Sequence, residues 1–225
     1  MNWKNLTIII PTLNEEESIE KLIKILNKMY KGVNIIVSDD GSKDKTRDIA
    51  KRLGAGVVDR SNKEIKGLTI SILDAVNVVD TPYFVVMDAD LQHPPEAVGR
   101  AMLKLKKFDV VGGARRKIIG DWGFFRKLMS KTAIILGKIR LMGRVKFDDL
   151  MTGFFGAKTE FFRDVIKGNR NRFELKGYKV FFDLLKLVKR GTPIGCVKYD
   201  FNIREAGTSK ISKRHILLYL KSLFK

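Results

Sequence analysis

Two carboxylates and an amide stand at alternate positions in Asp88-Ala89-Asp90-Leu91-Gln92, directly after the apolar run Val85-Val86-Met87. An extended backbone would place residues i, i+2 and i+4 on one side of the chain. Three oxygen donors on one edge suit Mg²⁺ or Mn²⁺ and leave coordination positions open for other oxygens, such as those of a diphosphate. By itself Asp-x-Asp is more often a solvated turn. Here it follows a buried type of strand and precedes Pro94-Pro95-Glu96, a helix opening with proline in its first turn. That context favours a metal site made of Asp88, Asp90 and Gln92.

A second constellation closes another apolar run, Ile35-Ile36-Val37-Ser38-Asp39-Asp40-Gly41-Ser42. Gly41 permits a tight turn, and Asp39 and Asp40 can accept hydrogen bonds from a nucleobase or ribose. Asp, Gly and Ser are equally the usual residues of an ordinary strand-to-helix turn. A third segment, Pro11-Thr12-Leu13-Asn14-Glu15, ends the first strand. It has neither the Gly-x-Gly-x-x-Gly of dinucleotide binding nor a Walker lysine, so both of those readings fail. One cysteine, Cys196, excludes an internal disulfide and a cysteine-based metal cluster. The two histidines leave no His-ligated metal site, and His93 reads as structural, packed beside the proline pair.

These segments must be positioned by regular elements. Apolar runs at 6–11, 34–39, 55–59, 83–88 and 109–113 read as strands, and amphipathic stretches at 15–29, 45–53, 69–78 and 95–106 read as helices. Strands as continuously apolar as Thr7-Ile8-Ile9-Ile10 suit a parallel sheet buried on both faces. The order is that of a doubly wound α/β sheet, whose ligand sits at the carboxyl ends of the strands. Asn14-Glu15-Glu16-Glu17 offers an N-cap with Glu at N3. Beyond Gly113 the alternation fails. A basic amphipathic stretch at 120–145 precedes a strand at 154–157, helices at 159–166 and 178–189, and a last strand at 194–201.

The net charge of +19 is unevenly spread over the 225 residues. Residues 1–100 hold 14 Lys/Arg against 15 Asp/Glu, and residues 101–225 hold 30 against 10. An anionic partner is therefore expected to meet the second half. Nucleic acid is not that partner: helix-turn-helix, zinc and RNA-recognition signatures are missing, and the first half is neutral. No window reaches the roughly 18 apolar residues of a membrane-spanning helix, and no signal peptide is visible, so the chain is expected to be cytoplasmic and peripheral. The stretches 122–129 and 211–221 mix cations with bulky apolar residues at helical spacing. Each suits equally a helix lying in a membrane interface and an amphipathic helix packed on the core.

Taken together, the three strand ends resemble those of the family 2 glycosyltransferases of GT-A fold, in particular the dolichyl-phosphate mannose synthase type. The resemblance continues through Gly112-Gly113-Ala114-Arg115, the basic stretch from Trp122 to Ser130, and Asp148-Asp149-Leu150-Met151-Thr152-Gly153-Phe154. It ends on Arg204-Glu205-Ala206-Gly207-Thr208-Ser209-Lys210. Thr69 replaces the second glycine of the family's loop at Gly67-Leu68, and Phe155 stands where an arginine is frequent.

The resemblance implies a GT-A-like, mostly parallel doubly wound sheet with a C-terminal acceptor-binding elaboration. It divides residues 1–212 into a nucleotide-sugar half, 1–113, and an acceptor half, 114–212, with a basic amphipathic tail at 213–225. The nucleotide sugar falls to Pro11, Leu13, Asn14, Glu15, Val37, Asp39, Asp40, Gly67 and Lys210, and the metal, Mg²⁺ or Mn²⁺, to Asp88, Asp90 and Gln92. An acceptor phosphate falls to Arg115, Arg126, Ser130 and Arg204, and catalysis to Asp88, Asp90 and Arg204. Each arginine reads equally as a solvated surface charge, although Arg204 is favoured by its motif. The implied reaction is inverting transfer of a hexosyl group, mannose from GDP-mannose by default, to a polyprenyl or dolichyl phosphate at the membrane surface. A UDP-sugar-dependent glucosyl or N-acetylhexosaminyl transferase is the alternative, and a lipid-phosphate-binding partner subunit is the non-enzymatic one. A membrane-anchored partner subunit is a further expected partner. A phosphate acceptor is already ionised at neutral pH and needs positioning by arginine forks more than a base. Asp183 would supply the base if the acceptor were a hydroxyl.

Overall fold

The computed structural model describes residues 1–119, 124–202 and 213–225. Arg204 and Lys210 lie outside the described residues, and the side chain of Arg126 does as well. Seven strands form one sheet: β1 (Leu6–Thr12), β2 (Asn34–Asp39), β3 (Gly56–Asp59), β4 (Tyr83–Val86), β5 (Val110–Ile118), β6 (Phe155–Lys158) and β7 (Ile194–Phe201). Their order is β3-β2-β1-β4-β6-β5-β7. The β3-β2-β1-β4 half is wholly parallel. Strand β6 runs antiparallel to both β4 and β5, and β7 is parallel to β5.

Among the described residues eight α-helices cover the sheet: α1 (Glu16–Met29), α2 (Thr46–Arg52), α3 (Leu68–Asn77), α4 (Glu96–Leu105), α5 (Phe124–Leu141), α6 (Thr159–Ile166), α7 (Val180–Leu187) and α8 (Lys213–Phe224). The apolar strands serve two cores. Ile8, Ile10 and Val85 pack with Ile19, Leu22 and Met102 of α1 and α4 on one face. Ile9, Phe84 and Val86 pack with Leu73 of α3, Phe162 of α6 and Phe182 of α7 on the other. Adjacent residues of β1 and β4 thus face opposite layers, so these strands are apolar almost throughout, and the buried Thr7 shares a 2.7 Å hydrogen bond with Thr81 Oγ1.

Three boundaries near the strand-end loops and β5 differ from the sequence reading in ways that matter to the site. The strand expected to reach Asp88 ends at Val86, and β5 runs to Ile118 rather than to Gly113. The N-terminus of α1 begins one residue later than a cap at Asn14 would put it, with Glu15 at the cap position and no side-chain cap bond there. Asn14 instead adopts φ 53°, its N–H donates to Ser42 Oγ at 2.8 Å, and its Oδ1 accepts from Lys43 N at 2.8 Å. Its side chain therefore joins two strand-end loops instead of capping the helix.

Candidate active site

Strands β1, β2 and β4 end beside one another on the same edge, so the loops that follow them share one cleft of about 960 Å³. Pro11, Leu13, Glu15, Asp40, Gly67, Asp88, Asp90 and Gln92 line it. Arg115, Ser130, Lys176, Lys179 and residues of α5 and α8 line it as well.

The Asp88 to Gln92 segment is a turn, not a continuation of β4. Leu91 takes φ 61°, a left-handed conformation that a side chain normally avoids. Gln92 N–H donates to Asp90 Oδ1 at 3.1 Å, and Gln92 Nε2 donates to Asn202 O at 3.1 Å. The expected alternation on an extended chain is thus replaced by a tight loop, which nevertheless brings all three residues to the cleft. Gly153 lies against this loop: a Cβ there would sit 3.2 Å from Asp88 Oδ2. A larger residue in place of Gly153 would press on the Asp88 carboxylate.

His93 fixes the segment from behind. It is 1% exposed, its Nδ1 accepts from Asp88 N–H at 3.1 Å, and its ring packs against Phe154, Tyr199 and Phe201. Burial pushes its pKa down to about 4, so it is neutral at physiological pH, with Nδ1 unprotonated. The 3.7 Å approach of Asp88 Oδ2 is accordingly not an ion pair. The donor chemistry fits a hard divalent cation: Asp88 is one-third exposed to the cleft and Asp90 is nearly buried. Among the described residues no cluster of three or more His, Cys, Asp or Glu residues is placed to enclose a cation, so most of a cation's positions would be left to ligand oxygens and water.

The two carboxylates after β2 have different tasks. Asp39 is fully buried and accepts from Thr12 Oγ1, Gly41 N, Ser42 N, Ser42 Oγ and Arg47 Nη1 at 2.5–3.1 Å. With those donors it staples the β1 and β2 loops, and it does not reach the cleft in this structure. Val37 is likewise within the core and not at the cleft. Asp40 does line it, and its Oδ2 accepts from Gly67 N at 2.7 Å.

Behind Asp40 lies a residue that the sequence reading did not single out. Arg60 is 1% exposed, and its Nε donates to Asp40 Oδ1 at 3.2 Å and Ser71 Oγ at 3.1 Å. The same guanidinium reaches Asp74 and, at 2.5 Å, Ile65 O. An arginine after a short strand carries no sequence signal of burial, and only the convergence of Asp40 and Asp74 on it reveals the role.

Gly67 opens α3 with φ 148°, and a Cβ there would meet Lys176 Cα at 2.9 Å and Leu175 O at 3.0 Å. Both are backbone atoms that cannot move aside. Gly67→Ala is therefore expected to displace the 174–177 loop from α3, breaking Thr69 N–H to Gly177 O (3.1 Å) and Ile70 N–H to Leu175 O (3.2 Å). The loss should be about 2–4 kcal/mol of stability, from an unfavourable φ and overpacking together, read as a fall in the urea midpoint.

Arg115 is held by Asp149 through Nε to Oδ2 at 2.6 Å and Nη2 to Oδ1 at 2.8 Å. Asp149 keeps the guanidinium protonated against burial, which works the other way. Two of the guanidinium's five N–H donors are thus committed to Asp149, which fixes the orientation of the fork. Asp183 is corrected outright: it is 1% exposed, 2.7 Å from Lys186 Nζ, and does not line the cleft, so it is no base for an acceptor.

Residues 7–167 match the family described as Glycosyl transferase family 2, and the chain belongs to that family. It is 34% identical over 230 residues to the Dolichol-phosphate mannosyltransferase of Pyrococcus furiosus, covering 97% of this chain and 62% of that protein. The protein of the same name from Saccharomyces cerevisiae is 29% identical, over 96% of this chain and 85% of its own length. The chain thus spans under two-thirds of the length of the archaeal relative. Among solved structures, glucosyl-3-phosphoglycerate synthase from Mycobacterium tuberculosis, in complex with Mn²⁺, UDP and glucosyl-3-phosphoglycerate, superposes with a TM-score of 0.67. It is 20% identical, over 98% of this chain and 80% of that one. Mannosyl-3-phosphoglycerate synthase from Rubrobacter xylanophilus superposes with the same score at 19% identity, over 97% of this chain and 72% of that one. At such identities the likeness concerns the GT-A fold.

Proposed function

We propose that this chain transfers a hexosyl group, mannose from GDP-mannose, to a polyprenyl or dolichyl phosphate at a membrane surface. The observation that carries the reading is the mixed lining of one cleft. Asp88, Asp90, Asp40 and Glu15 line it, and so do Arg115, Lys176 and Lys179 together with Ala133 and Leu136 of α5 and Ile216 and Leu220 of α8. A diphosphate with its cation suits the carboxylates, and a phosphate with a long apolar tail suits the cations and apolar residues. The names of the P. furiosus and S. cerevisiae relatives support mannosyl transfer and a dolichyl phosphate acceptor.

Asp88 and Asp90 would hold Mg²⁺ or Mn²⁺, with Gln92 beside them. When bound, such an ion offsets the charge gathering on the leaving nucleoside diphosphate. The acceptor phosphate oxygen forms its bond to the anomeric carbon as the bond from that carbon to the diphosphate breaks, in line and with inversion. Pro11, Leu13, Glu15 and Gly67 would border the donor, while Asn14, Asp39 and Arg60 hold the loops that carry it. Arg115, Arg126, Ser130 and Arg204 would position the acceptor, and Lys210 would contribute to donor binding. The decisive experiment offers a panel of nucleotide sugars and a short polyprenyl phosphate with Mg²⁺ or Mn²⁺. Turnover with GDP-mannose supports the reading, preference for a UDP-sugar reassigns the donor, and no transfer from any donor refutes it.

No described helix is long and apolar enough to cross a membrane. Ile135 and Ile139 of α5, Met142 just after it, and Leu217, Leu220 and Phe224 of α8 are exposed at one-face helical spacings. Tyr219 OH donates to Ala133 O at 2.6 Å, which sets the two helices side by side. Exposed apolar residues among cations support peripheral attachment to an anionic surface, each Lys or Arg adding about 1 kcal/mol. Flotation should be stronger with anionic than with neutral vesicles, and Ile139→Asp with Phe224→Asp should lower it. Equal, salt-insensitive flotation on both lipids would point instead to a membrane-anchored partner subunit or to apolar insertion.

A further inference from the structure

The C-terminal helix is not a free tail. Tyr219, Ser222 and Leu223 of α8 are buried, and its opposite turn supplies His215, Ile216, Tyr219 and Leu220 to the wall of the cleft. An apolar seam alone would leave such a helix able to shift along its neighbours, because side-chain contacts of this kind are non-directional. A polar cluster sits in the middle of the seam. Lys186 of α7, 1% exposed, lies 2.7 Å from Asp183 Oδ1 and donates to Ser222 O at 2.6 Å. Ser222 Oγ donates to Asp183 Oδ1 at 2.5 Å, and Asp183 Oδ2 accepts from Glu174 N–H at 3.1 Å.

We infer that Asp183, Lys186 and Ser222 act together as positioning residues, fixing the register of α8 so that its cleft-facing residues form the wall against which the acceptor lies. This rests on the glycosyl-transfer reading above and deepens it by assigning the determinant of acceptor binding to groups that touch no substrate. A buried ion pair contributes little net stability against its desolvation, and its best-attested use is to specify one arrangement among several. Here each member satisfies a group on another element. Ser222 Oγ and O complete the pair from α8, and Glu174 N–H does so from the loop whose Leu175 and Gly177 carbonyls accept from α3. Sliding α8 by a residue would strip Lys186 of the Ser222 carbonyl and Asp183 of the hydroxyl, leaving charge buried with fewer partners. The same slide would carry Tyr219 and Ile216 off the cleft.

The cluster also explains why an acid in this helix is not a base. Burial raises the Asp183 pKa, while Lys186, Ser222 and Glu174 N–H oppose that rise. Its oxygens are spent on α8 and on the loop before α7, not on the cleft.

The test uses the full chain. Ser222→Ala removes the hydroxyl that bridges the helices and leaves the ion pair intact. We expect hydrogen exchange of residues 215–224 to quicken at least tenfold and KM for a short polyprenyl phosphate to rise three- to tenfold. The Kd for the donor nucleotide and kcat should stay within twofold, and Ser222→Thr should restore both changed quantities. Asp183→Asn combined with Lys186→Met gives a second, uncharged version of the seam with the same expected split. Faster exchange with unchanged acceptor KM overturns the positioning role. Unchanged exchange overturns the latch itself, as does a loss of donor affinity equal to that of the acceptor. Quickened exchange in a protein whose wild type transfers to no polyprenyl phosphate overturns the acceptor reading while leaving the anchoring of α8 in place, so the two failures are separable.

Discussion

Asp88→Asn and Asp90→Asn are each expected to lower kcat by roughly 10²–10³-fold, the scale on which removal of one preorganised electrostatic partner of developing charge usually acts. Each replacement keeps the side-chain volume and one acceptor oxygen, and each removes a negative charge where a divalent cation would be held. Binding of the donor nucleotide in the presence of metal should weaken as well, since cation and diphosphate assemble together. The two variants should differ in stability. Asp88 is one-third exposed, so Asp88→Asn should leave the melting temperature unchanged. Asp90 is 4% exposed and accepts from Gln92 N–H, so its replacement places an amide NH₂ in a buried turn. A cost of about 1–3 kcal/mol follows if that NH₂ finds no acceptor. Single-turnover transfer with titrated Mn²⁺ or Mg²⁺, alongside thermal melts, checks both statements. Wild-type turnover that persists in excess EDTA, with the metal shown to be gone, would remove the cation from the site.

The site was legible in the sequence where a side chain's position follows from a strand ending, and illegible where it depends on what lies behind. Thr7 to Ile10 announced a strand buried on both faces because a doubly covered strand has no position for a polar surface. The loops after β1, β2 and β4 could be placed at one edge because parallel strands end together. Asp39 and Asp40 look alike in sequence, however. Their division into an interior staple and a cleft residue is decided by Thr12, Ser42 and Arg47 on one side and Gly67 and Arg60 on the other. The turn at Leu91 was hidden for the opposite reason: nothing local favours φ 61° in a leucine, and the strain is held by Gln92 bonding to Asn202, 110 residues away. For α8 the pattern of apolar and basic residues fitted a membrane helix and a packed helix equally. The structure gives it both faces, Tyr219 and Leu223 inward and Leu217 and Phe224 outward.

Arg60→Met should destabilise the protein by about 3–5 kcal/mol, the range found when one member of a buried ion pair is removed and its partner charges are left uncompensated. Arg60 pairs with both Asp40 and Asp74, whose side chains are 11% and 23% exposed. The methionine fills much of the same volume, so the loss would report charge and hydrogen bonding more than a cavity. Water reaching Asp74 should moderate the cost, as should Arg170, which lies 3.1 Å from its other oxygen. Asp40 has no such second cation among the described pairs, and its remaining partner is the Gly67 N–H. Loss of Arg60 should therefore be felt at the cleft as well as in the fold, through the Asp40–Gly67 hydrogen bond that ties the end of β2 to the start of α3. Donor nucleotide affinity should fall at temperatures where the variant is still fully folded. The combination Arg60→Met with Asp74→Leu separates the two effects: removing the second orphaned carboxylate should recover part of the stability while leaving nucleotide binding weak, because Asp40 remains unsupported. Urea unfolding and nucleotide calorimetry on the two variants measure these quantities independently. Full recovery of donor affinity in the double variant would show that Arg60 serves Asp74 and the core of α3 rather than the cleft.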